Sequence, residues 1–168
     1  MSMPLDAWRN WNFCEAELDI VARLKAATQE GPDRWARFVG TRDDMESVTE
    51  EKQVVPGVYV LYRWFAVPEA SEKRGLIRHR WLILVAVSAV STRQREASPL
   101  NQVAGRYIPS ILHALHGYTP LGSTEPMIVA TPPERWSGNG FGYYPLAFTS
   151  NTHFSIKQGP SNAPLRNR

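Results

Sequence analysis

Seven consecutive apolar residues, Trp81-Leu82-Ile83-Leu84-Val85-Ala86-Val87, form the longest such run in the chain and constrain its fold most strongly. A membrane helix needs about 20 apolar residues, and this run is bounded by Arg80 and Ser88. It reads as a buried strand. Val54–Phe65 carries β-branched and aromatic residues at both parities, as a strand covered on both faces does, and Pro56-Gly57 breaks it near its start. The 168 residues suit one domain, and a chain of this size buries roughly 70% of its unfolded surface without disulfides or metal.

Hydrophobic residues make up 43% of the chain and charged residues 21%, which argues against a mostly disordered or collagen-like protein. The 19 basic and 16 acidic residues leave a formal charge of +3, too small to mark a nucleic-acid binder from charge alone. Cys14 is the single cysteine, so an internal disulfide framework and a Cys-rich zinc site are excluded and a reducing compartment is expected. Residues 1–12 include Asp6 and polar positions rather than a basic segment followed by an apolar one, so no secretory signal is expected.

Asn12 suits the cap of a helix running from Phe13 to about Thr28, with Glu15 three residues on. Phe13, Ala16, Ile20, Val21 and Leu24 give that helix one apolar face. Gly31-Pro32 ends it, and Trp35–Gly40 reads as a first strand. The acidic stretch Thr41–Gln53 reads as a connector or an exposed edge. Polar Pro68–Ile77 separates Val54–Phe65 from a second long strand, Arg80–Val90, as a hairpin-like excursion. A second helix starts at Ser98 or Asn101 and ends before Gly117, its stripe formed by Val103, Tyr107, Ile111, Leu112 and Leu115. Pro109 kinks it or marks a late start. Met127–Thr131 and Tyr143–Asn151 close the sheet around the loop 132–142, which Gly138 and Gly140 make mobile or sharply turned. The predicted fold is a single α+β domain over residues 1–156, a mixed and mainly antiparallel sheet with two helices on one face, followed by a tail at 157–168.

Several constellations bear on function. His113 and His116, three apart on the second helix, can share a metal with His153 as a third ligand; alternatively both meet the negative end of the helix dipole. No H-E-x-x-H pattern accompanies them. Cys14, near a helix N-terminus, reads as a nucleophile or as a small buried hydrophobe. Gly138-Asn139-Gly140-Phe141-Gly142 lacks the Gly-Lys-Ser/Thr of a phosphate loop and reads as a hairpin loop. Lys73, Arg74, Arg78, His79 and Arg80 can face a phosphate backbone or end a strand in solvent. In a third reading they complement Asp43, Asp44, Glu46, Glu50 and Glu51 on a second copy, since head-to-tail association pairs unlike patches of identical subunits and can close a ring. Trp8, Trp11, Trp35, Trp64 and Trp136 lie in or beside loops and termini, where large amphipathic side chains anchor partners, or else they fill a core.

The opening helix Ala16–Lys25, the strands Pro56–Tyr62 and Arg80–Val87, the helix end Leu112–Pro120 and the last strand Tyr143–Thr149 follow one another in an order and spacing that resembles the tail terminator proteins of long-tailed bacteriophages. The similarity is to the Mu-like terminator family and, more distantly, to proteins like the lambda minor tail protein U. The resemblance implies a non-enzymatic structural protein of the virion tail or neck, assembled in the bacterial cytoplasm without a cofactor. It also implies a homohexameric ring that caps the tail tube, ends its elongation and meets a head-side connector or head-completion protein. A sheath protein joins these partners if the tail is contractile; DNA is passing cargo, faced by Lys73 and Arg74, and no membrane is involved. Arg135, Trp136, Asn139 and Phe141, in the loop 132–142, are the candidates for partner contacts. A head-completion protein, or a metal-dependent hydrolase using His113 and His116, are the alternative readings.

Overall fold

The computed structural model describes residues 12–46, 52–88 and 100–155. Helix α1 (Phe13–Thr28) begins where its cap predicts, with the Asn12 side chain accepting the Cys14 main-chain N–H at 2.8 Å. Its apolar stripe, Ala16, Ile20, Val21 and Leu24, is buried. Strand β1 (Phe38–Thr41) starts later than the aromatic Trp35 suggests, because the Trp35 N–H is taken by the Thr28 carbonyl at 2.8 Å and Trp35 stacks on Tyr107. The acidic stretch opens not as a plain connector but as a short helix, α2 (Arg42–Glu46). There the Asp44 carboxylate accepts the Thr41 N–H at 2.7 Å.

Two long strands follow, β2 (Gly57–Ala70) and β3 (Arg74–Ser88), then α3 (Leu100–Leu115), β4 (Ile128–Ala130), β5 (Trp136–Gly138) and β6 (Phe141–Ser155). Helix α3 runs unbroken through Pro109, which is exposed, so it neither starts late nor ends there. Ser98, the other predicted start, lies outside the described residues, as do residues 1–11 and 157–168. Gly117, at φ +85°, turns the chain out of the helix.

The sheet runs β1-β2-β3-β6-β4, with β5 also paired to β6. β1 is parallel to β2 and every other pairing is antiparallel. Alternation along the central strands divides the core in two. Val58, Val60, Trp81, Ile83, Val85, Leu146 and Phe148 face α1 and α3, while Tyr59, Leu61, Leu82, Leu84, Ala86 and Tyr143 form a second cluster with Phe38, Met45 and Phe141. The predicted α+β architecture with two helices on one face is therefore the observed one, with α2 and β5 added.

The polar stretch Pro68–Ile77 is not an excursion between strands but the end of the hairpin itself, closed by Ser71, Glu72 and Lys73. Two bulges carry β2 through it. Arg63 and Trp64 oppose the single residue Arg80, and Val67 and Pro68 oppose Ile77. A bulge leaves an unpaired position, which suits Pro68, since proline has no N–H to donate.

Candidate functional site

The acidic candidates sit beyond the β1 edge. Asp43, Asp44 and Glu46 are exposed on α2; Asp44 is engaged by Thr41, and Glu46 pairs with Arg42 at 2.7 Å. Glu50 and Glu51 lie outside the described residues. Glu17 of α1 belongs to the same patch, a member that sequence reasoning missed because it is an ordinary polar position of an amphipathic helix. Burial raises its carboxyl above the usual range, the Tyr62 main-chain N–H donates to it and pulls it back, and the charges of Asp43 and Asp44 raise it further.

The basic cluster separates into three places. Lys73 and Arg74 are exposed at the hairpin tip. Arg78 and Arg80, also exposed, lie further along β3 on the face opposite α1 and α3, and the bulge places Arg63 across from Arg80. Arg78 donates from Nε to the Asn151 side-chain oxygen at 3.3 Å. His79, between the two arginines in sequence, points the other way and is fully buried. Strict alternation along β3 carries the signal that would have separated it from them.

Residues 132–142 are not a free loop. Asn139 (φ +51°) and Gly140 (φ +81°) make a two-residue turn of the kind that joins hairpin strands, and β5 pairs back on β6 through it. Trp136 stacks on Tyr143 at 5.3 Å, the Arg135 guanidinium lies 5.8 Å from the centre of the Tyr144 ring, and Phe141 is half-buried against the second core cluster. An open groove of about 600 Å³ lies between this segment and the β3–β6 face. The chain therefore presents an acidic edge, an arginine-bearing face and an aromatic hairpin, with the reactive groups mostly engaged by their own neighbours.

Over residues 15–159 the sequence matches the family model described as phage tail terminator protein. The chain belongs to that family. No curated protein matches it. A phage tail terminator is a structural protein of the virion tail, and its described helices include none long and apolar enough to cross a membrane. Two of the three candidate metal-ligating histidines have partners of their own. In this terminator the Val129 N–H donates to Nδ1 of His116 at 3.3 Å, and His153 is held by Glu125 at 2.6 Å on β6. Among the described residues no three His, Cys, Asp or Glu side chains gather as a metal-binding group. Cys14 is exposed in the first turn of α1, not buried.

The terminator fold also encloses a polar network that no motif announced. Tyr62 bonds to Nδ1 of His79 at 2.9 Å, His79 Nε2 to Thr152 at 2.9 Å, and Thr152 donates to the Gly122 carbonyl at 2.7 Å. Beside it Ser150 accepts from Trp81 Nε1 at 3.0 Å and from Ser123 at 2.9 Å. These bonds fasten the segment 118–125 to the sheet.

Proposed function

We propose that this chain assembles into a homohexameric ring that caps the tail tube, stops its elongation and turns its other surface to a head-side connector or head-completion protein. The observation that carries the reading is the open sheet with unlike edges: β1 with acidic α2 at one side, β4 and the β5–β6 hairpin at the other. Unlike patches pair head to tail, and a rotation that closes gives a ring. Family membership supplies the tail as the place of action.

In this reading residues 1–156 act as one domain with 157–168 as a tail. Asp43, Asp44, Glu46, Glu50 and Glu51 meet Lys73, Arg74, Arg78 and Arg80 across subunits. Arg135, Trp136, Asn139 and Phe141 contact a tail or connector component. Lys73 and Arg74, at the hairpin tip, face the DNA as it passes, and a sheath protein is a further neighbour where the tail contracts.

Native mass spectrometry of the purified chain tests the ring, with a discrete hexamer expected. A stable monomer at high concentration overturns it. Added to growing tubes of the cognate tube protein, the ring is expected to arrest their length. Binding to a connector with no effect on tube growth would make it a neck protein instead.

A further inference from the structure

The groove beside the β5–β6 hairpin has a built polarity. Arg63 and Arg80 stand at its strand side, Leu82 and Ala147 form its floor, and Trp136 and Glu134 stand at its wall. Both arginines are exposed, and among the described residues neither has a hydrogen-bond or ion-pair partner. Two neighbouring guanidinium groups fit an exposed carboxylate on a short acidic segment.

Such a segment exists on the chain itself. Helix α2 reads Arg42-Asp43-Asp44-Met45-Glu46, and Asp43 is exposed with no partner among the described residues. An entering Asp43 meets the arginines, while Arg42 stays paired with Glu46 in its own helix. Within one chain α2 and the groove do not meet. Thr41 holds Asp44, Met45 packs beside the Tyr59 cluster, and α2 follows β1 at the sheet edge opposite the one that walls the groove.

We infer that α2 of one copy docks in the groove of the next copy, with Asp43 against Arg63 and Arg80. The inference rests on the ring reading and specifies its contact. It makes the association heterologous, because the donor edge and the receiving groove are different surfaces of the same subunit. It also brings a guanidinium to Asp43, whose charge, with that of Asp44, raises the Glu17 carboxyl within the chain. Of the four basic residues proposed for the subunit contact it keeps Arg80 and adds Arg63, and it replaces the broader pairing with Lys73 and Arg74, which stay at the hairpin tip.

Charge exchange at the two sites tests the docking. Arg80→Glu and Asp43→Arg are each expected to weaken ring formation at least ten-fold, read as the hexamer fraction in native mass spectrometry, and the double variant is expected to recover most of it. In a Cys14→Ser background, Asp43→Cys together with Arg63→Cys is expected to give an oxidation ladder with rungs spaced by 19.0 kDa. A hexameric wild type with unaffected single variants, or a crosslink confined to the monomer, overturns the docking and leaves the ring standing. A monomeric wild type removes the ring reading itself. Intact rings of Arg80→Glu that lose only retention of duplex DNA would assign the arginines to phosphate and equally overturn the docking.

Discussion

The Nε2–H of His79 donates to the Thr152 hydroxyl at 2.9 Å, and the direction of that bond is fixed from its far end. Thr152 gives its own hydrogen to the Gly122 carbonyl at 2.7 Å, so toward His79 it is an acceptor. The imidazole must carry its proton on Nε2 and accept from the Tyr62 hydroxyl at Nδ1. One buried carbonyl thus sets the tautomer of a histidine on the far side of a threonine.

Thr152→Val keeps the shape of that position and removes the relay. The His79 Nε2–H and the Gly122 carbonyl then lose a partner while buried, and an unsatisfied buried group costs about 1–3 kcal/mol. The expected loss is about 2 kcal/mol, read from the urea midpoint, with Thr152→Ser much milder because it restores the hydroxyl.

The same chain predicts acid sensitivity. Burial pushes the His79 imidazole from its ordinary 6.5 down to about 4. The unfolded chain therefore binds a proton that the folded one refuses between those values, and stability rises with pH across this window. The contribution is fully present above 6.5 and is lost as pH falls toward 4, by about 3 kcal/mol in all. Urea denaturation at pH 7 and pH 5 is expected to reveal the slope, and His79→Gln, which can both donate and accept, is expected to flatten it.

How much of this was legible depended on whether the signal was local. Asn12, the α1 stripe and Gly117 act within a few residues, and the helix ends they set are those observed. The two-faced strands were legible because β2 and β3 are apolar at both parities where they cross the core. The hairpin arm was not. Two bulges shift the register of β2, so its side chains lose the period-two pattern just where Arg63, Trp64 and Pro68 look like loop residues. β5 was hidden because its pairing follows from the Asn139-Gly140 turn, while Trp136, Ser137 and Gly138 are exposed and carry no alternation. His79 was masked by the flanking Arg78 and Arg80, since a charge cluster read along the sequence ignores the two faces of a strand. The groove joins β2, β3, β6 and the segment before β5, a juxtaposition that only the sheet order creates.

Gly57 tests the tight entry into β2. A Cβ at this position would lie 2.8 Å from the Val54 main-chain oxygen, and a backbone atom cannot move aside as a side-chain end can. Gly57 also pairs with Phe38 on one side and Ala86 on the other, so the strand has no room to shift. Gly57→Ala is expected to cost about 2 kcal/mol by overpacking, seen as a lowered thermal midpoint. Gly105→Ala, on α3 where an added Cβ meets nothing within 4 Å, is expected to be neutral or stabilising.

Asp19 ties α1 to the segment after α3. Its carboxylate accepts the Tyr118 hydroxyl at 2.8 Å and the Leu121 N–H at 2.9 Å, while Arg23, one turn on, donates to the Ala114 carbonyl at 3.0 Å and lies 5.1 Å from the centre of the Tyr118 ring. Burial first, and then the hydrogen bond and charge of Asp19, push the Tyr118 phenol up to about 12, against the pull of Arg23. Asp19→Asn keeps an acceptor and removes the charge, so Tyr118 is expected to ionise at lower pH, visible as a difference in near-ultraviolet absorbance between the variant and the parent on alkaline titration. Asp19→Ala removes both bonds and is expected to cost about 1–2 kcal/mol. The same segment carries Gly122 and Ser123, which close the His79 and Ser150 networks, so loosening it from α1 is also expected to raise hydrogen exchange at Thr152 and Ser150. Exchange raised only at Tyr118 and Leu121 would mean that the sheet holds the segment without help from the helix.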